Sequence, residues 1–96
     1  MGKVMSEEKV LVIDSEESTC NLIKSALGAR GFQVRVACTA KVGLQLYNEE
    51  PCNLVFVDMN IPDMEARYLI RELKRQDGNI GIVILSYPDK ANLVQE

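Results

Sequence analysis

Val10-Leu11-Val12-Ile13-Asp14 is a run of four apolar residues, three of them β-branched, closed by a carboxylate and by the polar cluster Ser15-Glu16-Glu17-Ser18. A run this short, stiff at its side chains and bounded by turn-forming residues, reads as a strand buried on both faces. The same pattern returns as Leu54-Val55-Phe56-Val57-Asp58 and as Ile82-Val83-Ile84-Leu85-Ser86, the last of these within a strand expected over 80–85. A further strand, Phe32 to Ala37, alternates Phe32, Val34 and Val36 with Gln33 and Arg35, which places it at a sheet edge with one face well buried.

Between the strands the period changes to that of a helix. Leu22, Ile23, Ala26 and Leu27 recur at helical spacing before the stop signal Gly31, predicting a helix from about Glu17 to Ala29. Thr39 is a candidate N-cap for a second helix whose inner face is Ala40, Gly43, Leu44 and Tyr47 and which ends before Pro51. A third carries Ala66, Leu69, Ile70 and Leu73 inward and ends near Asp77-Gly78; a fourth begins at Pro88 or Asp89. Arg67, Arg71, Lys74 and Arg75 lie opposite the apolar stripe of the third helix and read as a solvated face. The order βαβαβαβα, without repeat or linker, predicts an α/β, doubly wound parallel sheet forming a single domain over residues 1–96. Ligands of such sheets sit outside the carboxyl ends of the strands, where strand order reverses. Asp14, Asp58 and Ser86 stand at those ends.

Composition narrows the function. The 96 residues are 47% hydrophobic and 26% charged, as in a folded soluble domain. Eleven Lys and Arg against fourteen Asp and Glu give a net charge of -3, so direct nucleic-acid binding is not expected, nor attraction to an anionic membrane. No apolar run approaches the roughly 18 residues of a membrane span, and Glu7 and Glu8 interrupt any leader peptide, which together point to a cytoplasmic protein. Met1-Gly2 followed by Ser6 matches the N-myristoylation pattern, as chance also would. Cys20, Cys38 and Cys52 lack zinc-site spacing and the chain has no histidine; Cys38 and Cys52, beside strand ends, are expected to be small buried hydrophobes. The acidic, glycine-free loop from Asp14 to Ser18 cannot cradle a phosphate as nucleotide-binding loops do.

Two carboxylates at one switch point repel each other, and a shared proton or a bound cation relieves the repulsion. With oxygen donors alone the natural cation is Mg²⁺. A carboxylate beside it can attack a phosphoryl group and hold it as an acyl phosphate, with the Ser86 hydroxyl donating to the phosphoryl oxygens. The plainer alternative is that Asp14 shapes a turn and Asp58 opens a loop.

Three segments, Val10 to Glu16, Asn53 to Ala66 and Ile82 to Ser86, resemble in order the signatures of the response-regulator receiver domain. The spacing Asp58, Pro62, Met64 is the most specific part. The resemblance implies the flavodoxin-like receiver fold with strand order 2-1-3-4, the fifth strand of the usual 2-1-3-4-5 missing from this chain. It also implies a non-enzymatic signalling role. Asp58 matches the phosphoacceptor, supplied by a histidine kinase or phosphotransfer protein; Ser86 matches the switch hydroxyl that signals to an output domain or downstream protein. Asp14, Asp58 and the main-chain carbonyl of Asn60 match the Mg²⁺ ligands.

Ser15 stands where the family has the second carboxylate of an acidic pair, which removes one formal charge and weakens the expected hold on Mg²⁺. Glu16 is next in the chain and is expected to point elsewhere. Ala66 replaces a common glycine, and Tyr87 stands where a small residue usually follows the switch hydroxyl. Met59 and Met64 are expected to pack beneath the phosphorylation loop. Lys90 falls too early to be the lysine of a fifth strand. The alternative function is a pseudo-receiver, a phosphorylation-independent protein-interaction module, which Ser15 favours and Asp58, Pro62 and Ser86 disfavour. An apolar fourth strand left as an edge predicts a homodimer built on residues 80–85.

Overall fold

The computed structural model describes residues 8–86. Along them run β1 (Lys9–Ile13), α1 (Glu17–Gly28), β2 (Gln33–Ala37), α2 (Ala40–Glu49), β3 (Leu54–Asp58), α3 (Ala66–Gln76) and β4 (Gly81–Leu85). The myristoylation pattern at Met1-Gly2, Tyr87, Lys90 and the helix expected at 88–96 lie outside the described residues.

All strand pairs are parallel, as the pattern of elements predicts, and the order is β2-β1-β3-β4, as the family resemblance implies. The chain runs from β1 outward to β2 and then back past β1 to β3, so the switch point lies between β1 and β3. The reversal puts α1 on one face of the sheet and α2 and α3 on the other. On one face Cys20, Ile23 and Leu27 of α1 meet Val10, Val12, Val34, Val36, Leu54 and Phe56. On the other, Ala40 and Tyr47 of α2 and Leu69 and Leu73 of α3 meet Leu11, Ile13, Val55 and Val57. Alternate residues of β1 therefore serve two cores, and Val10 to Ile13 are all fully buried.

Several local expectations need correction. Leu22 is 71% exposed and Ala26 is exposed as well; the inward side of α1 is set by Cys20, Ile23 and Leu27. The apolar residues of α1 span more than one face, and the period alone does not say which edge of that arc docks. Cys38, expected to be buried, is exposed one residue past the end of edge strand β2; Cys52 is buried, and burial pushes its thiol pKa up. Arg35 of β2 does more than the alternation of that strand shows. Its guanidinium donates to the carbonyl oxygens of Leu46 (2.8 Å) and Glu50 (2.5 Å) at the C-terminal end of α2, where orphan carbonyls need donors. Gly31, at φ 96°, makes the left-handed turn that leads α1 into β2.

The basic face of α3 is exposed as expected. Arg75 pairs with Glu72 and Arg67 with Glu65 along the surface, and Arg71 lies 5.4 Å from the Tyr68 ring centre. Among the described residues no helix is long and apolar enough to cross a membrane.

Candidate functional site

The parallel register carries two carboxylates to one place. β1 and β3 pair residue by residue up to Ile13 with Val57, and Asp14 and Asp58 are each the next residue on their strands. Asp14 is fully buried and Asp58 is 2% exposed. Each carboxylate folds its own exit loop: Asp14 Oδ1 accepts from the Glu16 N–H at 2.8 Å, and Asp58 Oδ1 accepts from the Asn60 N–H at 2.9 Å. The turn reading of both residues is thus correct as far as it goes. It accounts for one oxygen of Asp58, whose Oδ2 receives no hydrogen bond from a described residue.

Around Asp58 lies an open depression of about 420 Å³, lined also by Ser15, Glu16, Thr19 and Asn60. Ser15 and Asn60, both singled out in the sequence, line it beside Asp58. Glu16 and Thr19 are additions: sequence reasoning set Glu16 aside and did not single out Thr19, which sits one turn into α1 on the side that faces the loop. Asp14 does not line the depression; the buried Cys20 thiol donates to its carbonyl oxygen at 3.2 Å and closes the strand end from below. Burial, with the Asp14 carboxylate adding to it, pushes the Cys20 pKa up, so this sulfur stays a thiol.

Ser86 follows β4 directly, one step past the pairing of Asp58 with Leu85, and the Met59 N–H donates to the Leu85 carbonyl at 3.0 Å. The three strand-end residues therefore share one edge of the sheet. The Ser86 hydroxyl is exposed and makes no hydrogen bond to a described residue. Met59 does not pack beneath the loop as expected, being 47% exposed, whereas Met64 is half-buried against the core.

Among the described residues no three acidic, histidine or cysteine side chains converge into a metal cage. A cage is not what Mg²⁺ needs: it is commonly held by one or two carboxylates, keeps several waters and shares its remaining positions with phosphate oxygens. The depression offers oxygen donors, an uncommitted Asp58 Oδ2 and open solvent, and this set fits that ion.

The family model described as response regulator receiver domain matches residues 10–96. Sporulation initiation phosphotransferase F of Bacillus subtilis is 27% identical over 92 residues, covering 96% of this chain and 74% of that protein. Aerobic respiration control protein ArcA of Escherichia coli is 32% identical over 85 residues, covering 88% of this chain and 35% of ArcA, so the chain spans about a third of that relative. Among solved structures, a receiver domain protein (CheY-like) from Methanospirillum hungatei superposes with a TM-score of 0.82 at 27% identity, covering 93% of this chain and 72% of the other. TrrA of Thermotoga maritima, solved in complex with Mg²⁺ and BeF, has a TM-score of 0.79 at 20% identity, over 90% of this chain and 75% of its own, and so shares the fold. With its strand order, its paired strand-end aspartates and its match from Val10 onward agreeing, the chain belongs to the response regulator receiver domain family of two-component signalling.

Proposed function

We propose that the chain is the phosphoacceptor module of a response regulator and that Asp58 takes the phosphoryl group. The observation that carries this is a carboxylate 2% exposed that nevertheless lines an open depression and keeps one oxygen uncommitted. An Asp58 oxygen attacks the phosphorus of a phosphohistidine on a histidine kinase or phosphotransfer protein. The P–N bond breaks, its electron pair returns to the imidazole, and that nitrogen takes up a proton. Asp58 and the Asn60 main-chain carbonyl would hold Mg²⁺ from the lining of the depression, with Asp14 behind them and the Ser15 hydroxyl at the position of the missing carboxylate. When bound, Mg²⁺ supplies positive charge against the phosphoryl oxygens. Ser86 acts as the switch hydroxyl, donating to the acyl phosphate. The added charge of about -1.5 to -2 biases the surface beyond β4 toward an output domain or downstream protein. A cytoplasmic site of action follows from a partner that carries phosphohistidine there.

The test is phosphorylation by acetyl phosphate with Mg²⁺, read by intact mass, with Asp58→Ala as control. The expected result is one phosphoryl group on the native chain and none on the variant. Ser15 favours a second reading, the pseudo-receiver that binds partners without phosphorylation. Folded native protein that gains no mass would favour that reading.

A further inference from the structure

Replacing the second carboxylate of the acidic pair by Ser15 takes a negative charge out of the cation site, and the structure shows another acidic residue among those that line it. Glu16 lines the same depression as Asp58, Ser15 and Asn60. Its backbone is fixed there, since the Glu16 N–H is held by the fully buried Asp14 at 2.8 Å and the Glu16 carbonyl accepts the Cys20 N–H at 3.1 Å as α1 begins. Glu16 is the N-cap of α1, yet its side chain makes no capping hydrogen bond, and its carboxylate has no hydrogen bond or ion pair with a described residue. The obvious local use of an acidic side chain at a helix start is therefore unfilled, and Glu17 already supplies the acidic residue of the first turn.

Resting on the receiver reading above, the geometry points to Glu16 as a metal-site carboxylate that replaces the charge lost at Ser15 and sets the affinity of this chain for Mg²⁺. The second independent mark of a cation site is Asp58, nearly fully buried, lining the same depression and with Oδ2 uncommitted. Glu16 and Asp58 then give the depression two carboxylates despite Ser15. Glu16 is longer than the aspartate of the family pattern by one methylene and starts one residue later. It acts on an ion that retains water, so contact through water is sufficient.

The experiment is a titration of the 96-residue chain with Mn²⁺ followed by electron paramagnetic resonance, with Mg²⁺ as competitor, on the native chain and on Glu16→Gln, Glu17→Gln and Asp58→Asn. Glu16→Gln is expected to weaken both ions about tenfold, as loss of one nearby charge does in a partly solvated site. Glu17→Gln, which removes the same charge from the same helix terminus, should change affinity by less than about twofold. Ser15→Asp added to Glu16→Gln should restore binding. Glu16 and Glu17 are both exposed, and circular dichroism verifies that each variant is folded. If the native chain binds and Asp58→Asn does not, while Glu16→Gln matches Glu17→Gln, the assignment of Glu16 is overturned and the receiver reading stands. No saturable binding by the native chain overturns both.

Discussion

Asp63 acts on a helix other than the one it precedes. Its Oδ1 accepts from the Ala40 N–H at 2.8 Å and its Oδ2 from the Lys41 N–H at 3.0 Å, while Thr39 Oγ1 takes the Val42 N–H at 3.1 Å. The amides at the start of α2, which have no partner within the helix, are thereby satisfied. These bonds, that from Ala40 first, hold the Asp63 carboxyl below its ordinary value of 3.8. A folded value below the unfolded one means that the unfolded chain binds more protons in between. The contribution of Asp63 is then present above the ordinary carboxylate value and is lost as pH falls through the lowered one. Asp63→Ala is expected to cost about 1 kcal/mol near neutral pH, the usual scale of a helix cap. In urea unfolding over a pH series, the gap between native and variant should close toward acid; a constant gap would contradict the linkage. Thr39 was legible as a cap because its partner is three residues away. Asp63 was not, because its partners are more than twenty residues back and meet it only once β3 has crossed the sheet.

Among the elements, α2 comes close to the sheet at Gly43. A Cβ built on Gly43 would fall 2.4 Å from Ile13 Cδ1 and 2.7 Å from Cγ1, so the fully buried Ile13 would have to shift within the core. Gly43→Ala is therefore expected to destabilise the domain by about 1–3 kcal/mol despite its better helix propensity. Ile13→Val should make part of that loss non-additive when the two are combined, a coupling that a double-mutant cycle in denaturant measures. The inner face of α2 was readable from its 3.6-residue period, since Ala40, Gly43 and Tyr47 are buried as predicted. That Gly43 is there for want of a side chain was not readable, because the reason lies on β1. The period misplaced Leu22 and Ala26 on α1 for a related cause: several apolar arcs fit one helix, and only the packed partner selects among them.

At the scale of the whole molecule, the parallel sheet and the gathering of Asp14, Asp58 and Ser86 at one edge were legible because strand ends and crossover direction are local properties with a global consequence, whereas the strand order came from the family resemblance. The outer edge of β4 pairs with no described strand, and Val83 and Ile84 are among the exposed apolar side chains. We predict concentration-dependent self-association of the 96-residue chain through β4. Light scattering over a dilution series should show it, and Ile84→Lys should reduce it; a monomer at every concentration would refute it. The two fastenings of α2 carry one last consequence. Its N-terminal amides belong to Asp63 on the loop after Asp58, and its C-terminal carbonyls belong to Arg35 on β2. Helices ordinarily fray from their ends, one turn at a time. This one has no loose end to begin from, so exchange of its amide hydrogens with solvent must wait for β2 or the loop after Asp58 to let go, and α2 opens together with whichever yields first.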